Sequence, residues 1–212
     1  MIVETFAVGP LGCNCSIVHD PASKEAIVVD PGGDVDEIVS RLRARGLTAK
    51  AIVHTHTHFD HVGGTAALQR ETSAPARIHQ ADQFLYSILP IQVAMFGMPA
   101  PETCELDTWL RDDEEIALGA LRVHVLHTPG HTPGSCCFEV RAPSTEEVVL
   151  FSGDTLFQGS VGRTDLWGGD HDALVRSIRS KLFALPDATR VVCGHGEQTT
   201  IDFEKRNNPF LR

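Results

Sequence analysis

The chain has 212 residues, 42% apolar and 22% charged, with 28 acidic residues against 18 lysines and arginines and a formal net charge of −10. This describes a single globular domain over 1–212 with a sizeable core, and the acidic excess argues against nucleic acid or an anionic membrane as main partner. No run reaches the ~20 apolar residues of a spanning helix, and the first twenty residues lack the basic start and apolar run of a signal peptide, so the expected location is cytoplasmic.

In chain order, strand-like runs come first at 2–8, 15–19 and 26–30. "DVDEIVSRLRARG" then predicts a helix over 34–46, with Val35, Ile38, Val39 and Leu42 on one face, Asp34 and Glu37 as a capping box, and Gly46 as its stop. A strand at 50–54 runs into "HTHTHFDHVGG", which holds four histidines and one aspartate within residues 54–61, and a short helix is expected after Gly64. The segment 87–100, "SILPIQVAMFGMPA", is too apolar for an ordinary loop and too rich in proline and glycine for a long helix. It is expected to pack as a flap on the core or to wall a substrate cleft. Further strands are expected at 121–127, 135–140, 147–151 and 189–193. A second helix is expected over 170–186, capped by Asp170 or Asp172 and stopped by Pro186.

"LRVHVL" alternates strictly, whereas "EAIVVD", "KAIVHT" and "EVVLFS" are continuous apolar runs that suit strands buried on both faces. There is also a faint repeat. "EAIVVDPGGD" parallels "EVVLFSGDTL", each a strand followed by an aspartate, and "AKAIVHTH" parallels "TRVVCGHG", each a strand followed by a histidine. Two related halves imply two sheets face to face with helices outside and polar residues collected where the halves meet. The six cysteines form no C-x-x-C pair and predict buried free thiols, with Cys193 notable for lying two residues from His195.

Side chains two apart on an extended segment point the same way, so His56 and His58 share a side, and a tight turn through Phe59 carries Asp60 and His61 to an adjacent one. Two such pairs suit two neighbouring cations, each short of about two ligands. His131 in "HTPGHTPGS", Asp154 in "FSGDTLF" and His195 in "CGHGE" each follow a strand and stand beside glycine or proline. Imidazole and carboxylate without thiolate suit zinc, iron, manganese or nickel. His54 and His127 stand where they could orient ligands by hydrogen bond, while His19, His79, His124 and His171 read as ordinary surface or core histidines.

"THTHFDH", "HTPGHTPGS", "FSGDTLF" and "GHGEQTT" together resemble the metallo-β-lactamase fold superfamily, nearly end to end. The resemblance implies a four-layer αββα, α/β fold with two mixed sheets. It also implies a site for two divalent metal ions, zinc first, with iron or manganese as alternatives. Carried over, His56, His58 and His131 match the first metal's ligands and Asp60, His61 and His195 the second's. Asp154 matches the bridging carboxylate, and Asp30 the aspartate behind the ligands. "TLFQGSVGRTDLWGGD" and "IDFEKRNNPFL" are similar to the glyoxalase II group (hydroxyacylglutathione hydrolases), in its short bacterial form. That likeness implies a metal-dependent hydrolase of small-molecule thioesters of the S-lactoylglutathione type, with Asp60 catalytic and Arg163 binding substrate. Two features differ from the long enzymes of that group. Only 17 residues follow His195, and Gly162, Arg163, Thr164 and Asp165 replace the glycine-lysine-aromatic loop. An iron-dependent persulfide dioxygenase using His56, His131 and Asp154, a β-lactamase and a non-catalytic metal binder are the rival readings.

Overall fold

The computed structural model describes residues 1–106, 108–143 and 147–212. Two six-stranded sheets form the centre. The first is built from β1 (Ile2–Val8), β2 (Cys13–His19), β3 (Glu25–Val29), β4 (Thr48–Val53), β5 (Ala76–His79) and β6 (Thr108–Leu110), in that spatial order. The second uses β7 (Glu115–Leu118), β8 (Leu121–His127), β9 (Cys136–Arg141), β10 (Val148–Gly153), β13 (Arg190–Cys193) and β14 (Thr199–Thr200), ordered β14-β13-β10-β9-β8-β7. A small hairpin of β11 (Leu156–Phe157) and β12 (Ser160–Val161) stands apart. Both sheets are mixed: β3 runs parallel to β4 and β10 parallel to β13, while β1–β2 and β8–β9 are antiparallel.

Strand alternation explains the layers. On β3, Ile27 and Val29 face the second sheet, where they meet Val123, Val125, Phe138 and Phe151, while Ala26 and Val28 face outward onto Ile38 and Leu42 of α1 (Val35–Ala44). Helices α2 (Phe59–Val62) and α3 (Thr65–Thr72) follow β4, and α4 (Gln83–Ser87) and α5 (Leu89–Ala94) follow β5. Outside the second sheet, Leu174 of α6 (His171–Ser177), Ile178 and Leu182 of the π-helical turn after it, and Ile201 of α7 (Ile201–Asn207) cover Leu150 and Val191. The result is the αββα sandwich of the metallo-β-lactamase fold.

The two halves correspond as the repeat implies. Asp30 follows β3 and Asp154 follows β10, and each of those strands has a parallel neighbour, β4 or β13, whose end leads to histidines. Asp170 caps α6 by accepting from the Ala173 N–H at 2.9 Å. The expected capping box on α1 does not form. Asp34 adopts a left-handed backbone (φ 48°), and its carboxylate instead accepts from the Gly9 N–H at 2.8 Å, tying the β1–β2 turn to the helix. All six cysteines are free, and Cys193 is buried in the outer core with its thiol pushed up to about 12 by burial. No helix among the described residues is long and apolar enough to cross a membrane.

Candidate metal centre

The loops after β4, β8, β10 and β13 all open at one end of the sandwich, where the halves meet. His56 Nε2, His58 Nδ1 and His131 Nε2 converge there, His56 standing 3.0 Å from His58 and 3.2 Å from His131, and His58 lying 3.0 Å from His131. Beside them lies a second group. His195 Nε2 is 3.3 Å from His61 Nε2 and 3.1 Å from Asp60 Oδ2. Asp154 stands between the two groups, with Oδ2 3.7 Å from His131 Nε2 and Oδ1 3.4 Å from His61 Nε2. All seven expected residues therefore meet in one place.

The surrounding partners set which nitrogen of each ring is free. His61 donates its Nδ1–H to Asp30 Oδ2 at 3.0 Å, and His131 donates its Nδ1–H to the Arg163 carbonyl at 2.8 Å. The Thr55 hydroxyl donates to Asp30 at 2.6 Å and so is left to accept from His56 Nδ1–H at 3.1 Å. Each of these three rings then turns its Nε2 to the centre. Burial disfavours a proton on His61, but the carboxylates of Asp154, Asp60 and Asp30 outweigh it and hold the ring well above its usual range until a cation takes the place of its proton. Burial, then the neighbouring imidazoles, hold His56 well below its usual range, and burial with His131 pushes His58 down to about 3. Burial alone would raise the carboxyls of Asp154 and Asp60. The charged forms of His61 and His195, which the surrounding carboxylates favour, outweigh it in both and keep both ionised.

Three ring nitrogens facing one point at this separation repel unless a cation lies between them. Their separations match the roughly 2.9–3.4 Å subtended by two metal–nitrogen bonds of about 2.0–2.1 Å at octahedral to tetrahedral angles. Asp154 Oδ1 is buried with no hydrogen-bond partner, as a carboxylate oxygen awaiting a cation would be. The cluster is suited to a two-metal centre.

Two supporting residues carry no signal in the sequence. Asp82, fully buried, accepts from the Thr57 N–H at 3.1 Å, the Thr132 hydroxyl at 2.8 Å and the Gly134 N–H at 2.5 Å, fastening the His56–His58 loop to the His131 loop. Gln92 of α5 accepts from the Phe59 N–H at 3.0 Å and donates to the carbonyls of Thr57 and Leu85. Backbones also crowd together here. A Cβ on Gly32 would lie 1.6 Å from the Asp60 carbonyl oxygen, and one on Gly162 1.9 Å from that of Asp154, so both close approaches require glycine. His54 and His127 do not orient ligands. His54 bonds the Arg77 carbonyl and Thr65, and His127 bonds the Pro133 carbonyl and stacks on His79. Both stand at strand ends, ahead of the turns that carry the ligands, and their rings are committed to these other partners.

Above the cluster lies a cleft of about 390 Å³, bordered by Leu11, Met95, Phe96, Leu166, Trp167 and Arg163 as well as by His58, Phe59 and Asp60. Within the 87–100 segment, Leu89 and Val93 pack on Phe59 and Val62 as a flap on the core would, and Met95 and Phe96 border the cleft. Arg163 borders the cleft, with Nε and Nη2 donating to the two Asp165 oxygens at 2.7 and 2.9 Å.

The comparisons with known proteins agree with this geometry. The chain is 40% identical over 215 residues to the hydroxyacylglutathione hydrolase GloC of Haemophilus influenzae, covering 100% of this chain and 98% of that protein. Among solved structures it is similar to the B3 metallo-beta-lactamase BLEG-1, with a TM-score of 0.89, 38% identity and 99% of both chains covered. It is likewise similar to TTHA1623 in a di-iron-bound form, with a TM-score of 0.86, 37% identity, and 98% of this chain and 100% of that chain covered. The family model of the metallo-beta-lactamase superfamily matches residues 8–195, and the chain belongs to that superfamily, as a metallo-hydrolase.

Proposed function

We propose that the protein is a two-metal thioester hydrolase acting on substrates of the S-lactoylglutathione type. The observation that carries this reading is Asp154, whose two oxygens face two separate nitrogen groups, as a bridging carboxylate requires. His56, His58 and His131 would hold one ion, Asp60, His61 and His195 the other, and Asp154 both. When bound, such a pair supplies Lewis acidity at a carbonyl and lowers the pKa of water enough to give a hydroxide near neutral pH.

The chain's own residues do the rest. Asp60, ionised and bordering the cleft, orients the attacking oxygen nucleophile toward the thioester carbonyl. Asp30 and Thr55 keep the Nδ1 protons of His61 and His56 on the far side of the rings. The departing thiolate, with a pKa near 8.5 in its free state, needs no strong general acid. Arg163 meets the carrier's anionic end weakly, because its Nε and Nη2 already donate to Asp165 and offset its charge.

The kinship with GloC supports thioesters as the substrate class. Metal analysis of protein purified without added metal, followed by rates on S-lactoylglutathione and a β-lactam, tests the reading. Two ions per chain and faster thioester cleavage are expected; β-lactam turnover exceeding thioester turnover would overturn it. A second reading, an iron-dependent persulfide dioxygenase, draws on the likeness to ETHE1 from Myxococcus xanthus and on "GRTD" at 162–165. It would show as oxygen consumption with glutathione persulfide faster than any thioester cleavage.

A further inference from the structure

The cleft's two walls differ in chemistry. The C-terminal half contributes Arg163, Leu166 and Trp167, and with them a guanidinium at the border of the cleft. The N-terminal half contributes Leu11, Phe59, Met95 and Phe96, an apolar surface. Leu11, Met95 and Phe96 are 44%, 63% and 54% exposed, unusual for large apolar side chains, and all three open onto this one cleft. Their placement is built into the site. The Phe96 ring lies 5.0 Å from that of Phe59, the residue between His58 and Asp60, and Gln92 of the neighbouring α5 holds the Phe59 N–H. A lactoyl group is small and carries a hydroxyl, for which these four side chains provide no partner.

We propose that the cleft selects thioesters with a bulky apolar acyl group, held against Leu11, Phe59, Met95 and Phe96, while the thiol carrier lies toward Arg163. The proposal rests on the thioesterase reading and names its acyl specificity. A carbonyl at the metal cluster sits between the two walls, so the two substituents of the thioester part to opposite sides. The carrier's carboxylates suit the side with the guanidinium, which leaves the acyl chain for the apolar side. Each methylene buried there is worth about fourfold in binding.

The test keeps the carrier constant. The metal-loaded full chain is assayed with glutathione thioesters of lactoyl, acetyl, butanoyl, hexanoyl and phenylacetyl groups. Binding of S-methyl and S-hexyl glutathione, which cannot be hydrolysed, is measured by calorimetry. From acetyl to hexanoyl, kcat/KM should rise at least tenfold, and the hexyl thioether should bind at least tenfold tighter than the methyl. Phe96→Ala and Met95→Ala should each reduce the hexanoyl-to-lactoyl ratio severalfold. A kcat/KM that is flat or falls with chain length, while lactoylglutathione is cleaved, overturns the acyl assignment and leaves the thioesterase reading standing. Ratios unchanged in both variants also overturn it. No cleavage of any thioester removes the thioesterase reading and this specificity with it.

Discussion

Asp82 contacts no expected ligand nitrogen, yet its two oxygens hold the Thr57 N–H, the Thr132 hydroxyl and the Gly134 N–H, and so set the spacing between the loops of His58 and His131. Asp82→Asn keeps the volume but turns an amide donor toward donors on one side. Support of this kind is worth about 10–100-fold in metal affinity, so a competition titration should find the ion at His56, His58 and His131 weakened by that factor while stoichiometry stays at two. Unchanged affinity would mean that the ligand loops hold their own geometry. The seven clustered residues were legible because motif and spacing placed them in turns after strands, where glycine marks close backbone approach. Asp82 and Gln92 were not, because each acts on backbone groups brought near only by the tertiary fold, and a lone aspartate or glutamine in a helical stretch reads as solvated.

Among the elements, long buried strands announce themselves as apolar runs, whereas β5, β6 and β7 have four residues or fewer, too short for a period to show. Past Ser87, where α4 ends, the helix within 87–100 is confined to α5, Leu89–Ala94, in keeping with the segment's proline and glycine content. Its importance lies in Gln92. Gln92→Leu leaves the Phe59 N–H without an acceptor, costing about 1–3 kcal/mol, and in a chain of this size a melting point lower by roughly 2–12 °C. A loss confined to catalysis, with melting unchanged, would instead make α5 a substrate contact only. At the ends of β5 and β8, His79 and His127 stack with ring centroids 3.9 Å apart, joining the two sheets. Burial, then His127, pushes His79 down to about 4 from an unfolded value near 6.5. The folded state therefore disfavours the proton, and the stability that neutral His79 contributes is whole above about pH 6.5 and lost as pH falls toward 4. The melting-point gap between the parent and His79→Gln should close across that window; parallel pH curves would exclude the stack as its cause.

On the scale of the whole molecule, the metal cluster occupies the seam between the two halves, with His56, His58, Asp60 and His61 from one side and His131, Asp154 and His195 from the other. A cation shared by ligands from both halves favours the folded state alone, since the unfolded chain scatters them over more than a hundred residues. A ligand at about 100 times its dissociation constant contributes ~2.7 kcal/mol, so two such ions contribute about 5 kcal/mol, which for this length is roughly 10–20 °C in melting temperature. Chelation should lower the midpoint by that amount, and added zinc or iron should restore it. His195→Ala removes a ligand from the second group and leaves His56, His58, His131 and Asp154 intact. Its stoichiometry should fall toward one ion, and its chelator-induced shift should shrink to about half of the parent's. Two tightly held ions in the variant, or an undiminished shift, would break the link between His195 and the second metal. A parent whose melting ignores chelation would show that Asp82, Gln92 and the glycine contacts alone hold the seam, and that the histidines are pre-organised at the protein's own expense.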